Sequence, residues 1–389
     1  MPCASYLPHR PPGPAEPPPM PQHPTSPAAR PTSALDALPF ATAARALTDH
    51  GLRAGQAEAA LTTLWRAVLV DDQPFATAVS ALGRAARTAA SATLAAPTAL
   101  AVAEHALAAD GTLRLGLRTH DGLAIETVVI PAPGGDRTTV CLSSQAGCAF
   151  ACKFCETGRL GLQRSLGTGE IVAQFRLARA AWTAIAAARP PVGNVVFMGM
   201  GEPFDNLPAV ASALSVLQDD RAFGLGWRAC TVSTVGVVAQ LPAFFETCRA
   251  HLAVSLNAPD DARRSAVMPV NRRWPLAELK LALQTHLPAG RDVLIEYVLF
   301  DGWNDSADDA RQLVAWLHGL PVRVNLIVAN PGPDETLRTP SMATVEAFRV
   351  ALQQAGVRAM VRHPHGREVG GACGQLAGRL RGGSGECAS

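Results

Sequence analysis

The chain has 389 residues, 48% of them hydrophobic, with a formal net charge of +2, enough for a catalytic domain with its own core and a smaller accessory domain. That charge is too near balance to indicate a nucleic-acid partner by itself, no run of about eighteen uncharged apolar residues predicts a membrane span, and the start lacks the apolar segment of a secretory signal. The expected compartment is therefore the cytoplasm, where nine cysteines point to metal or thiol chemistry rather than to a disulfide framework.

Residues 1–33 are dense in proline and without apolar periodicity, a composition that predicts a disordered arm. Residues 34–105 are rich in Ala and Leu at helical spacing; Leu61, Leu64, Trp65 and Val68 share one face, and a small helical accessory domain is expected. Residues 106–131 form a linker whose alternating text, GTLRLGLRTHDGLAIETVVIP, turns at Asp121-Gly122 and predicts a β-hairpin over 112–130. Beyond Pro131 strand-length apolar runs recur at 138–142, 194–200, 229–235, 251–257, 292–300 and 323–329, with helical stretches between them. Ile171, Phe175, Ala178 and Trp182 line one helix face. Pro275 opens another helix, Asp305 and Gly319 bracket a third, and Ser341 and Gly356 a fourth, each by its capping preference. The expected fold is α/β, a partial (β/α)6 barrel over 132–381 with chemistry at the strand C-termini. A last strand near 357–362 and a flexible tail, 382–389, follow.

Just after the first barrel strand comes GCAFACKFCETG, with Cys148, Cys152 and Cys155 in C-x3-C-x2-C spacing. A closed zinc site takes four protein ligands, and a cubane iron–sulfur cluster held by protein alone takes four cysteines. Three thiolates on one loop leave an iron open. Two alternatives stand beside this: three unrelated buried thiols, or zinc with Cys141 as fourth ligand. Iron and acid-labile sulfide content separates them.

With Phe154 before the last cysteine, the motif resembles the radical S-adenosylmethionine superfamily, in which the open iron of a [4Fe–4S] cluster binds S-adenosylmethionine. Further segments, in order, resemble the RlmN/Cfr family of RNA methyltransferases: ETVVIP at 126–131, CLSSQAGCAFACKFCETG at 141–158, FMGMGEP at 197–203, TVSTVGV at 231–237, AVSLNAP at 253–259, MPVNRRWP at 268–275, VNLIVANP at 324–331 and ACGQLAG at 372–378. The resemblance runs from about 110 to 380. It implies methylation of an adenine carbon, with carbon 2 of an adenosine in large-subunit ribosomal RNA favoured, carbon 8 or an unassigned RNA target the rivals, and transfer RNA a further target. It also implies two S-adenosylmethionine molecules per turnover and an electron donor such as a flavodoxin-type reductant. A non-catalytic iron–sulfur or zinc module, the alternative from another class, would make no 5′-deoxyadenosine.

The same resemblance assigns roles residue by residue. Cys148, Cys152 and Cys155 would hold the cluster. Gly201, Glu202, Ser233, Ser255, Leu256, Asn257 and Asn330, at strand ends, would contact S-adenosylmethionine, Glu202 accepting from its ammonium; Asn257 stands where the family usually has His. Cys373 would carry the methyl group, Cys141 would release product through a disulfide, and Glu126 would accept a proton. The text before Cys373, EVGGACGQL, lacks the family's usual acidic residue. Arg263-Arg264, Arg272-Arg273 beside Trp274, and Arg159 with Arg164 are candidate RNA partners.

Overall fold

The computed structural model describes residues 33–132, 137–185, 190–330, 332 and 334–378; almost all of the N-terminal arm, the tail, Cys3 and Cys387 lie outside them. The accessory part starts with a short strand, β1 (Ser33–Ala34), then helices α1 (Phe40–Asp49), α2 (Ala54–Trp65), α3 (Phe75–Ser80) and α4 (Arg84–Thr93), and β2 (Leu94–Ala95), which pairs with β1. Leu61, Leu64, Trp65 and Val68 are buried, as their spacing requires. Trp65 is fully enclosed and meets Phe40 edge-on, centroids 5.2 Å apart. Trp65→Ala is expected to destabilise the chain by about 3–5 kcal/mol in chemical denaturation. Trp65→Phe should cost less, because the buried indole N–H has no partner among the described residues to lose.

The helical text does not run on to His105. Pro97 interrupts it, and Ala101–Leu107 forms β3, an edge strand antiparallel to β4 (Leu113–Arg118). Alanine-rich sequence favours helix, but here the ladder to β4 satisfies the backbone groups, and tertiary pairing wins. β4 pairs with β5 (Ala124–Pro131) across the expected Asp121-Gly122 turn.

The rest alternates strand and helix: β6 (Thr138–Cys141), β7 (Gln145–Gly147), α5 (Glu156–Arg159), β8 (Leu162–Ser165), α6 (Thr168–Ile185), β9 (Val192–Phe197), α7 (Leu207–Gln218), β10 (Cys230–Thr234), α8 (Leu241–Thr247), β11 (His251–Ser255), α9 (Asp261–Val267), α10 (Leu276–His286), β12 (Val293–Leu299), α11 (Ala307–Leu317), β13 (Val322–Val328), α12 (Met342–Gln354) and β14 (Arg358–Arg362). One sheet runs β14-β13-β12-β11-β10-β9-β6-β5-β4-β3, parallel from β14 to β6 and antiparallel beyond; β7 and β8 form a separate pair. The hairpin thus extends the barrel sheet through β5. Ile171, Phe175, Ala178 and Trp182 are buried on α6. Asp305 is not the cap of α11. Ser306 is, accepting from the Asp309 amide while Asp309 answers the Ser306 amide, and Asp305 instead closes the preceding turn at Gly302. Among the described residues no helix is long and apolar enough to cross a membrane.

Candidate active site

Parallel strands deliver their C-terminal ends to one rim, and a cavity lies there, enclosing ≈ 940 Å³ including its mouth. Cys148, Cys152, Cys155, Gly201, Glu202, Ser233, Ser255, Asn257 and Cys373 line it. The loop holding the first three starts beyond β7 and turns through Ala151, whose φ of 49° is left-handed, a strained conformation for a side-chain-bearing residue. Burial pushes the thiols of Cys148, Cys152 and Cys155 up, Cys148 to about 12; Cys155 raises Cys148 and Cys152 further, and Cys373 raises Cys155. Three crowded, buried thiols are poor thiolates alone and a ready donor set for a cationic iron cluster. The donor set fits the cluster.

Gly201 has φ +96°, and a Cβ there would stand 2.5 Å from the Gln145 side chain, so only glycine fits. Gln145 holds the loop by accepting from the Glu202 amide at 2.9 Å. Glu202 is buried, and its two oxygens accept from the Phe204 amide (3.0 Å) and the Val235 amide (2.9 Å), tying the loop after β9 to the loop after β10. Burial raises its carboxyl to about 7 against these bonds. Asn257, at φ 61°, is likewise committed: its Oδ1 accepts from the Val298 amide at 2.9 Å and its Nδ2 lies 3.2 Å from Met268 Sδ. Leu256 is buried; its amide donates to the Glu296 carbonyl and its carbonyl accepts from Arg264, which leaves it outside the cavity wall. Ser233 and Ser255 are half-buried in the wall.

Asn330 sits on a different wall, where its Nδ2 donates to the Cys373 carbonyl (3.0 Å) and its Oδ1 accepts from Arg367 (2.6 Å). It is therefore part of the fastening of the Cys373 loop. The Glu156 amide donates to the Gly374 carbonyl (2.8 Å) and Thr157 Oγ1 to the Leu376 carbonyl (2.6 Å), so the cysteine loop and the Cys373 loop are joined directly. Gly374, at φ +82°, admits no Cβ comfortably, since one would lie 3.0 Å from the Phe154 carbonyl. Thr157→Val leaves the buried Leu376 carbonyl without its donor. The expected cost is about 1–3 kcal/mol, read as faster amide exchange across residues 372–378 with little change at β12 and β13.

Glu126 and Cys141 lie off this cavity. Glu126 is buried beneath the Cys373 loop, Oε1 paired with Arg114 Nη1 at 2.6 Å and Oε2 accepting from the Ala377 amide at 3.0 Å. Burial raises its carboxyl while Arg114 pulls it down. Cys141, 6% exposed, lines a second, smaller cavity with Cys373 on its other side; both thiols are free.

Two charged residues in this region carry no motif. Glu296 continues a polar row, Ser255–Glu296–Asn325, set by strand register, accepts from Asn325 Nδ2 at 3.1 Å and is raised by burial. Its signal was a lone acid in the apolar run VLIEYVL. Arg362, at the end of β14, lines the smaller cavity. The arginine candidates for RNA contact divide. Arg264 is fully buried and spends its guanidinium on the carbonyls of Leu256, Val235 and Ser255 and on Asn271, so it is structural. Arg263 pairs with Asp260 and Asp309, and Arg164 with Asp121 and Glu170. Arg159, Arg272 and Arg273 are exposed, Arg273 stacked 4.6 Å from the Trp274 ring centroid.

Residues 142–314 match the radical SAM superfamily model. The chain is 58% identical over 284 residues to a probable RNA methyltransferase of Sorangium cellulosum (strain So ce56), covering 72% of this chain and 70% of that protein. It is 41% identical to the dual-specificity RNA methyltransferase RlmN of Marinobacter nauticus (strain ATCC 700491 / DSM 11845 / VT8), with 70% and 74% covered. A crystal structure of a radical SAM methyltransferase from Sphaerobacter thermophilus superposes with TM-score 0.80 at 37% identity, over 89% of this chain and all of that one. With the cysteine loop, the strand-end rim and these relatives in agreement, the chain belongs to the RlmN family of RNA methyltransferases within the radical SAM superfamily.

Proposed function

We propose that this chain methylates carbon 2 of an adenosine in large-subunit ribosomal RNA, with transfer RNA a further target, through a methyl group carried on Cys373. The convergence of three cluster thiols, the Gly201–Glu202 loop and Cys373 on one cavity supports this. Cys148, Cys152 and Cys155 would hold a [4Fe–4S] cluster, with Ser233 and Ser255 on the S-adenosylmethionine side. Bound there and reduced, the pair of cofactors supplies a 5′-deoxyadenosyl radical.

The other steps belong to the chain's own side chains. As a thiolate, Cys373 takes the methyl group of a first S-adenosylmethionine: a new S–C bond forms, and the electrons of the sulfonium bond stay with the departing thioether. A second S-adenosylmethionine is the radical source, so two are used per turnover. Having lost a hydrogen atom, the S-methyl carbon bonds to adenine and links RNA to protein. Glu126 would take the proton from that ring carbon as the adduct's unpaired electron passes to a one-electron acceptor, a role the oxidised cluster would serve. Arg114 opposes the upward pull of burial on the Glu126 carboxyl, and the Ala377 amide must leave Oε2 for the adenine to approach. Cys141 then attacks the Cys373 sulfur and frees the product. Glu202, Asn257 and Asn330 act as positioning groups, since their polar atoms already hold the loops around the cavity.

Carbon 8 is the second reading, favoured by CKFCETG, STVGV and MPVNRRWP, while the missing acid before Cys373 points to an RNA target of neither kind. Nucleoside mass spectrometry of RNA from cells with and without this chain decides: 2-methyladenosine is expected to depend on the chain. Dependence of 8-methyladenosine instead would move the target carbon, and dependence of neither would remove the proposal. A flavodoxin-type reductant and a cytoplasmic location complete the picture.

A further inference from the structure

Arg362 is the last residue of β14, the edge of the parallel array, and four strands separate β14 from β9 in the sheet. Yet its Nη1 lies 3.5 Å from Met198 Sδ, one residue beyond β9. The guanidinium therefore reaches across the open side of the partial barrel. On the far side the Met198 backbone is the hydrogen-bond partner of the Cys141 thiol, and Cys141 is held by register against Val196 of β9. Cys141, Cys373, Met198 and Arg362 line one cavity, enclosing ≈ 470 Å³ including its mouth. A thioether is a weak acceptor for a cation with five N–H donors, and among the described residues Arg362 makes no ion pair with a carboxylate.

We propose that Arg362 is the positioning residue of the two-thiol step, its guanidinium spanning the barrel opening to hold the Cys141 sulfur for attack on Cys373. This rests on the function proposed above, in which Cys141 clears RNA from Cys373. In that step the Cys141 thiolate forms an S–S bond to Cys373 and the electrons of the Cys373 S–C bond pass to the methylene carbon. A proton from water completes the methyl group, and a thiol reductant later reopens the disulfide. Burial pushes the Cys141 thiol up to about 12, with Cys373 and Glu296 pushing the same way; Arg362 is the one cation acting against them. Reciprocally, Cys373, Glu296 and Cys141 hold Arg362 charged. The other ionisable groups nearby are His363 and His365, which line the same cavity, His365 being 3.4 Å from Asp110, and Glu126 on the neighbouring strand, bound to Arg114.

The test uses the cluster-loaded full chain with Arg362→Met and Arg362→Lys. Without RNA or S-adenosylmethionine, alkylation of Cys141 by iodoacetamide is followed against pH by peptide mass spectrometry. Arg362→Met should move the profile to higher pH and slow alkylation about tenfold at mildly alkaline pH, a one-unit shift, with Arg362→Lys in between. With both substrates present, Arg362→Met should accumulate covalent RNA–protein adduct while 5′-deoxyadenosine formation continues. An unchanged alkylation profile, or loss of methylation with no adduct, overturns the assignment. If the wild type itself forms no methylated RNA, the functional proposal fails, whereas the alkylation profile still decides whether Arg362 governs Cys141. Should Arg362→Met not assemble a cluster, the Lys variant is decisive: an unshifted profile with wild-type adduct levels overturns the proposal.

Discussion

Cys373→Ala is expected to abolish methyl transfer to RNA, a loss of at least about 10³-fold, while iron content and S-adenosylmethionine cleavage stay near wild type. The loop around Cys373 is held by its backbone: the Cys373 carbonyl accepts from Asn330 and the Gly374 carbonyl from the Glu156 amide. Alanine keeps both bonds, so the substitution removes sulfur without moving the loop. Among the described residues, the other thiols that line the cavity are Cys148, Cys152 and Cys155. These three are assigned to the cluster, and Cys141 is buried with a thiol pushed up to about 12. Single-turnover assays with methyl-labelled S-adenosylmethionine check this: label should appear on the Cys373 peptide of the wild type and on neither peptide nor RNA in the variant. Label on RNA from Cys373→Ala would end the carrier role.

Cys141→Ala should give the opposite failure, with RNA joined to the chain in near-stoichiometric amount and free methylated RNA absent. Cys141 ends β6, and its carbonyl accepts from Thr127 Oγ1 at 2.7 Å, a bond alanine keeps. The missing sulfur leaves only a small void between β5 and β9, costing about 1 kcal/mol by lost burial. Cluster assembly, cysteine methylation and carbon–carbon bond formation need no group at this position, so the reaction should run to the adduct and stop. Denaturing gels of anaerobic reactions would show a shifted band that nuclease digestion collapses. Normal turnover with no such band would mean that another group clears the adduct.

Much of this architecture was legible in the residues because it rests on local periodicity. Apolar runs of strand length alternating with helices fixed the barrel, and all seven parallel strands fall within a few residues of the expected places. Failures arose where tertiary partners decide. Alanine-rich Ala101–Leu107 becomes a strand because β4 is beside it, and Asp305 loses the capping role to Ser306, whose hydroxyl reaches the Asp309 amide. The cysteine loop was readable from spacing, because three ligands in eight residues need no long-range information. Glu202, Asn257 and Asn330 were legible as residues of the site. Their hydrogen bonds to Val235, Val298 and Cys373 join segments far apart in the chain, and no local pattern reports those. Arg264 is the sharpest case: one of a surface-looking Arg pair, it is wholly interior and bonded to three carbonyls. Glu296 and Arg362 escaped notice because a single charge in an apolar strand carries no spacing.

The most direct test of a three-thiolate cluster with a free iron is a titration of anaerobically reconstituted protein with S-adenosylmethionine, followed by electron paramagnetic resonance of the reduced cluster. About four irons and matching sulfide per chain, a signal that changes on adding S-adenosylmethionine, and release of 5′-deoxyadenosine are the results the structure calls for. Zinc in place of iron, or a cluster whose signal ignores S-adenosylmethionine, would contradict it.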